Sequence, residues 1–293
     1  MIVHVLLRAL KPFRLICLVM TYLLGAGFVQ YVREMRSWSV FIQGIIFLLL
    51  IALSLDYLRA QQGLIEPQDW PEGMTIREVR QVRLIIAMLT ATFLTVATSI
   101  LITWMHAGIM WQGLAFLLVA LILLGGIYYL TQVFDKLRAL ALLIEVLLFI
   151  VIPPAVAYFL QSDSPHRLLT MVVIALVPGY LANRFLILLK QFKKDYKYEV
   201  QTIVIQMGWE SAMVYHNAFI LLTFLIYALI ALLGFPWFLI WPVFLTLPIG
   251  LVEIWLMERV KRGMKPLWRI MQFATACVLF IPLYLIGLAF WIR

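Results

Sequence analysis

Residues 84–131 read LIIAMLTATFLTVATSILITWMHAGIMWQGLAFLLVALILLGGIYYLT, and the run contains no Asp, Glu, Lys or Arg. A helix needs about 20 apolar residues to cross roughly 30 Å of hydrocarbon, so this stretch is long enough to cross twice. Only Met105 to Gly108 lie between the two apolar halves, which leaves room for a tight turn and makes the two helices antiparallel neighbours. Their backbone groups are satisfied internally only if both are helical in lipid.

The rest of the chain agrees. It has 293 residues, 65% hydrophobic and 13% charged, against about a quarter charged in soluble domains, and its mean hydropathy is +1.03. Apolar runs near 13–31, 38–58, 84–105, 109–131, 139–161, 167–189, 211–234, 236–257 and 270–292 predict nine transmembrane helices. The expected fold is an all-α polytopic bundle forming one domain over residues 1–293. Pro153 and Pro154, Pro178, Pro236, Pro242 and Pro248 predict kinks or breaks. Cys17 and Cys277 both sit in apolar runs, so no disulfide framework or thiolate metal site is expected.

The net charge of +9 is distributed by membrane side. A nine-helix model leaves only Arg33, Arg36, Arg167 and Arg293 of the 23 basic residues on one face and puts the other 19 on the opposite one. Positive residues in short loops mark the cytoplasm, so the N-terminus is predicted inside and the C-terminus on the opposite side. The basic charge is thus matched to lipid headgroups, not to nucleic acid.

Two inner connections, approximately 59–83 and 190–210, are much longer than the others, and long loops in compact folds tend to be functional. Met74, Ile76, Val79 and Val82 in the first and Ile203, Val204 and Met207 in the second are spaced for short amphipathic caps over the bundle mouth. Each connection begins near an acid followed by a tyrosine, Asp56-Tyr57 at the end of the span before the first and Asp195-Tyr196 in the second. A carboxylate at a membrane interface costs little, so each acid reads alone as a helix-end charge. Together they read as two carboxylates able to share a hard cation with phosphate oxygens.

At these residues the sequence resembles the UbiA-type intramembrane prenyltransferases. The likeness runs from Leu10-Lys11-Pro12-Phe13-Arg14, with Leu24-Gly25, to the last helix. The first Asp-rich motif of the family lines up with residues 55–63, where Asp56, Tyr57 and Gly63 match. The second lines up with residues 191–208, where Asp195, Thr202, Val204 and Gly208 match. Between them, Glu145 with Phe149 resembles the family's fifth-helix stretch. The chain departs from the pattern with Leu55 and Arg59 in the first motif and Gln191, Glu199 and Val200 in the second.

The resemblance implies a nine-helix bundle with two cytoplasmic cap loops that moves a prenyl group from its diphosphate to a lipophilic acceptor. Asp56 and Asp195 are the implied catalytic residues, and with Glu199 the implied ligands of a magnesium site that the substitutions thin or abolish. Arg59, Lys190, Lys194, Lys197 and Tyr57 are the candidate contacts to a diphosphate, by charge-assisted hydrogen bonds. The alternative is a non-catalytic relative that holds an isoprenoid, quinone or pigment as a subunit of a larger membrane complex.

Other residues have plainer expectations. Glu145 and Glu253 fall inside apolar runs and should face the bundle interior, Glu253 near enough to Arg259 or Arg262 to pair with one. The four histidines share no metal-ligand spacing. Trp104, Trp111, Trp237 and Trp241 fall near outer helix ends, where an aromatic belt is expected. Same-face Asp-Tyr mouths and helix middles without a chain of ionisable groups argue against a transporter.

Overall fold

The computed structural model describes residues 10–32, 35, 37–62, 76–109, 111–134, 140–162, 166–197, 200 and 202–292. Among them, nine helices are long and apolar enough to cross a membrane. In chain order they are α1 (Pro12–Val32), α2 (Trp38–Gln62), α3 (Ile76–His106), α4 (Trp111–Val133), α5 (Ala141–Phe159), α6 (Arg167–Lys197), α8 (Trp209–Leu232), α9 (Trp237–Lys261) and α10 (Trp268–Ile292). The short helix α7 (Ile203–Met207) lies between α6 and α8.

The nine runs read from the sequence each become one of these helices. The first expected cap is different: Ile76, Val79 and Val82 are the opening turns of α3 itself. The apolar spacing read there as a separate cap is the buried stripe of one long helix, with Val79, Val82 and Ile86 packed on Tyr57 of α2. Met74, expected in the same cap, falls outside the described residues.

The second cap does form its own helix. The Thr202 hydroxyl accepts the Ile205 N–H at 3.3 Å, a side-chain N-cap that satisfies a donor the first turn leaves open. Gly208 ends the segment at φ +83, a conformation that disfavours any residue with a Cβ.

α1 packs against α5 and α10. One face of it, Arg14, Thr21 and Gly25, is spaced at i, i+7 and i+11 and meets α5 along its length. A Cβ on Gly25 would fall 2.3 Å from the Pro154 carbonyl oxygen, so the glycine permits a backbone-to-backbone approach. Next to it, α5 opens into a π turn over Leu147–Val151, just ahead of Pro153 and Pro154, which have no N–H to give. The Thr21 hydroxyl donates to the Phe149 carbonyl there at 3.1 Å.

Prolines also divide α9, which passes from an α turn at Trp237–Ile240 through a 3₁₀ stretch at Trp241–Thr246 to an α-helix at Leu247–Lys261. On the opposite side, α6 packs along α8 and α10. Trp104 is a correction to the expected aromatic belt. It is buried, packs at a tilt against Phe47 and donates its indole N–H to Gln43 at 2.8 Å. Trp237 and Trp241 are exposed, as a belt requires.

Candidate functional site

The packing of α1 on α2 and α5 gathers charged side chains at the end of the bundle where α1 and α5 begin and α2 ends. Arg14 is the hub, 2% exposed. One guanidinium nitrogen, Nη1, donates to Asp56 Oδ1 at 3.1 Å, and Nη2 pairs with Glu145 Oε1. The other Asp56 oxygen accepts the Lys11 backbone N–H at 3.2 Å, and the other Glu145 oxygen accepts Arg184 Nε at 2.7 Å. Rings of Tyr128 and Phe149 flank the Arg14 guanidinium, each centroid at 5.7 Å. Arg59, one turn beyond Asp56 on α2, donates to the Tyr128 hydroxyl at 3.2 Å.

Four basic side chains, Lys11, Arg14, Arg59 and Arg184, thus surround two carboxylates, Asp56 and Glu145. Their mutual field is strong enough to be felt at Lys11, just outside α1. Burial first, and then the Arg59, Arg14 and Arg184 charges, push its ammonium down to about 7. With Lys11 protonated the cluster carries a cationic surplus of two around a buried arginine, with Lys11, Arg59 and Arg184 half-buried, and such a surplus attracts an anion. Arg14 Nε adds a specific demand, since it is buried and has no acceptor among the described residues.

Beside the cluster lies an apolar cavity of about 420 Å³ between α2, α3 and α4, lined in part by Leu55, Leu58, Leu94, Gly125, Gly126 and Tyr129. Leu55 and Leu58 alternate with Asp56 and Arg59 on the last turns of α2, and Tyr129 follows Tyr128. The polar cluster and the apolar cavity therefore occupy adjoining faces of the same two helix ends.

The residues singled out in the sequence separate into two groups. Asp56 and Arg59 belong to the cluster. Tyr57 turns to the other side of α2, 8% exposed, against Val79, Val82 and Ile86 of α3. Asp195 and the exposed Lys194 and Lys197 lie on the last turns of α6. Asp195 is eleven residues past Arg184, about 16 Å farther along the axis at 1.5 Å per residue. Lys190, also exposed, donates to Gln272 of α10 at 3.0 Å. Glu199 lies outside the described residues. Of the remaining second-motif matches, Thr202 and Gly208 cap and turn α7, and Val204 is buried beneath it.

A magnesium ion requires oxygen ligands at about 2.0–2.1 Å in near-octahedral array. All four oxygens of Asp56 and Glu145 already accept or pair with a donor of the chain. Among the described residues no three His, Cys, Asp or Glu side chains form a group that could hold a metal ion. The described donor set does not fit a magnesium site.

Arg184 lies outside the motifs, and Lys11, Arg14 and Glu145 fall in stretches that carry the resemblance without standing among the candidate site residues. Their signal was positional: Glu145 and Arg184 stand inside apolar runs, where a charge is expensive and faces the interior. A second buried pair sits on the far side of α6. His216 Nδ1 is 2.9 Å from the Ala182 carbonyl, which can only accept, so Nδ1 carries the proton. Nε2 faces Glu253 Oε1 at 3.2 Å, both side chains wholly buried. Glu253 is therefore partnered by His216 and not by Arg259 or Arg262. The histidine was not visible in a sequence pattern because its partner is 37 residues away.

No protein-family model matches the chain, and no curated protein matches it. Solved structures do. A UbiA homolog from Archaeoglobus fulgidus bound to Cd2+ aligns with 99% of this chain and 100% of its own at a TM-score of 0.60 and 13% identity. A UbiA homolog from the same organism bound to GPP and Mg2+ gives 0.59 and 13% over 99% and 100%. Bound to DMAPP and Mg2+ it gives 0.59 and 12%, with 98% of each chain covered. The protein is an integral membrane helical bundle with the UbiA fold over essentially its whole length.

Proposed function

We propose that this bundle binds a prenyl diphosphate, with the diphosphate at the Lys11–Arg14–Arg59–Arg184 cluster and the isoprenoid chain in apolar space beside it, and transfers the prenyl group to a lipophilic acceptor. The observation that carries the reading is the surplus of positive charge, four basic groups around two carboxylates, with Arg14 buried and the other three half-buried. That the A. fulgidus homologs were solved with GPP and DMAPP supports the ligand class. The acceptor is a quinone precursor, pigment or lipid that reaches the site from the bilayer. The excess of basic residues in the loops on its side of the membrane supports a cytoplasmic location for the cluster.

In such a transfer the allylic C–O bond breaks, the diphosphate departs with the electron pair, and the prenyl carbon bonds to the acceptor, which gives up a proton. Guanidinium groups fixed before the reaction stabilise the charge that grows on the leaving oxygen. Arg59 is the group best placed to donate to the diphosphate, since its recorded contact is to a neutral hydroxyl.

The engagement of all four carboxylate oxygens favours a second reading, in which the chain holds its isoprenoid, quinone or pigment without ionising it, as a subunit of a larger membrane complex. The first test is binding of a non-hydrolysable allylic thiodiphosphate to detergent-purified protein. Saturable binding weakened by Arg59→Ala is the expected result; no binding overturns the proposal. Diphosphate release from geranyl diphosphate in the presence of membrane lipid extract then separates transfer from holding.

A further inference from the structure

We infer that Arg14 takes the place of a divalent cation in this site, and that the diphosphate is bound without metal. The inference rests on the proposal that the cluster binds a diphosphate, and it fixes how.

A divalent ion in a diphosphate site has two tasks: it neutralises anionic charge and it ties the ligand to protein carboxylates. The Arg14 guanidinium already bridges two carboxylates, reaching Asp56 Oδ1 with Nη1 at 3.1 Å and Glu145 with Nη2. The outer oxygens of the same two acids are held by the Lys11 N–H at 3.2 Å and Arg184 Nε at 2.7 Å. A metal ion entering here would have to displace these donors and then sit beside a guanidinium that is 2% exposed. In a medium of low dielectric that repulsion is poorly screened, and the guanidinium cannot escape it by losing its proton.

The same arrangement suits an anion. Lys11, Arg59 and Arg184 stand with Arg14 around only two negative charges, a surplus of two. An organic diphosphate carries about two to three negative charges near neutral pH, so it closes the balance without a further cation. Arg14 Nε is buried and has no acceptor among the described residues, a donor that an anionic oxygen would satisfy. Guanidinium groups also match phosphate oxygens by paired, charge-assisted hydrogen bonds. The Leu55 and Arg59 of the first motif, read from the sequence as losses of metal ligands, are then consistent with one another. One side chain ceases to be a ligand, and the other adds a cation.

The experiment measures binding of geranyl thiodiphosphate to the detergent-purified full chain, once in EDTA and once in magnesium. The wild-type affinities are expected to agree within about threefold, and Mn2+ paramagnetic resonance is expected to show no bound ion. Arg14→Ala frees Asp56 and Glu145; it is expected to bind at least about tenfold more weakly in EDTA, the scale of a lost charged hydrogen bond, and to regain affinity when magnesium is added. Arg14→Lys keeps the charge with a smaller perturbation and is expected to remain indifferent to EDTA, which decides the matter if the alanine variant does not fold. Wild-type binding that vanishes in EDTA overturns the inference and leaves the diphosphate proposal standing. Equal affinities of wild type and Arg14→Ala in EDTA overturn the assignment to Arg14. Absence of binding in both buffers removes both.

Discussion

Asp56-Tyr57 closes α2 inside the bundle, whereas Asp195-Tyr196 closes α6 beyond it. Tyr57 is 8% exposed and Tyr196 71%. The difference follows from helix length. α6 spans 31 residues, about 46 Å at 1.5 Å per residue against roughly 30 Å of hydrocarbon, so its last turns stand clear of the packed core. α2 reaches Asp56 while still flanked by α1, and there the acid meets Arg14 and the Lys11 N–H. The same dipeptide is therefore a buried ion-pair partner in one place and part of an interfacial helix end in the other. Identity of residues is a weaker guide to role than what the neighbouring helices bring to them.

The sharpest break of this comparison is stability. Asp56→Ala leaves the Arg14 guanidinium buried with half its pairing gone, and removing one member of a buried ion pair costs about 3–5 kcal/mol. Asp195→Ala, on a partly exposed turn, should fall within about 1 kcal/mol of wild type, the range of an exposed ion pair. Thermal unfolding in one detergent measures both; equal losses would mean that the two ends of the bundle are alike.

The fold was legible because its signals are long. Nine apolar runs exceed the membrane thickness, and each became a helix; only ends moved, most at α3, where Ile76 to Val82 continue the helix instead of forming a cap. The site was legible only in part. Asp56 and Arg59, singled out because they stand in a motif, lie in the charged cluster. Arg14, Glu145 and Arg184 come from three helices, and nothing in their spacing along the chain states that α1 meets α5 through Gly25 and Thr21. Asp195 stands in a motif as well, but its distance from Asp56 depends on how far α6 continues past the core, which a motif match does not state.

His216 and Glu253 test whether burial itself sets the cost. This pair has no cationic surplus. Glu253→Ala alone is expected to destabilise by about 3 kcal/mol or more, while His216→Leu with Glu253→Leu, which removes both polar partners, should recover most of the loss. A double variant as unstable as the single one would show that the pair contributes more than its own satisfaction.

Ligand binding sharpens the comparison at a smaller scale. Arg59→Ala should weaken geranyl thiodiphosphate by about tenfold, as expected for a charge-assisted hydrogen bond lost from a sheltered site. Lys194→Ala, exposed on the overhanging end of α6, should change affinity by less than about threefold and lose even that in high salt. The reverse order would move the diphosphate to the α6 end and restore Lys190, Lys194 and Lys197 as its contacts.

The smallest effect is a dependence on pH that only the buried cluster can produce. With no anion bound, the Lys11 ammonium titrates at about 7, lowered by burial and then by Arg59, Arg14 and Arg184, with Asp56 acting in the opposite direction. A bound diphosphate favours the charged form and raises that value, so binding above pH 7 requires uptake of a proton. Affinity should therefore be highest below about pH 7 and fall as pH rises toward the bound-state value, by about tenfold for each unit that the ligand raises it. The three arginines stay charged throughout and contribute no slope. Lys11→Arg keeps a cation at that position at every pH and should bind with little change between pH 7 and 9, where the terminal phosphate is already largely ionised. Titration calorimetry in two buffers of different ionisation enthalpy counts the protons directly: uptake by wild type and none by Lys11→Arg is the expected result. Uptake unchanged in the variant would place the titrating group elsewhere.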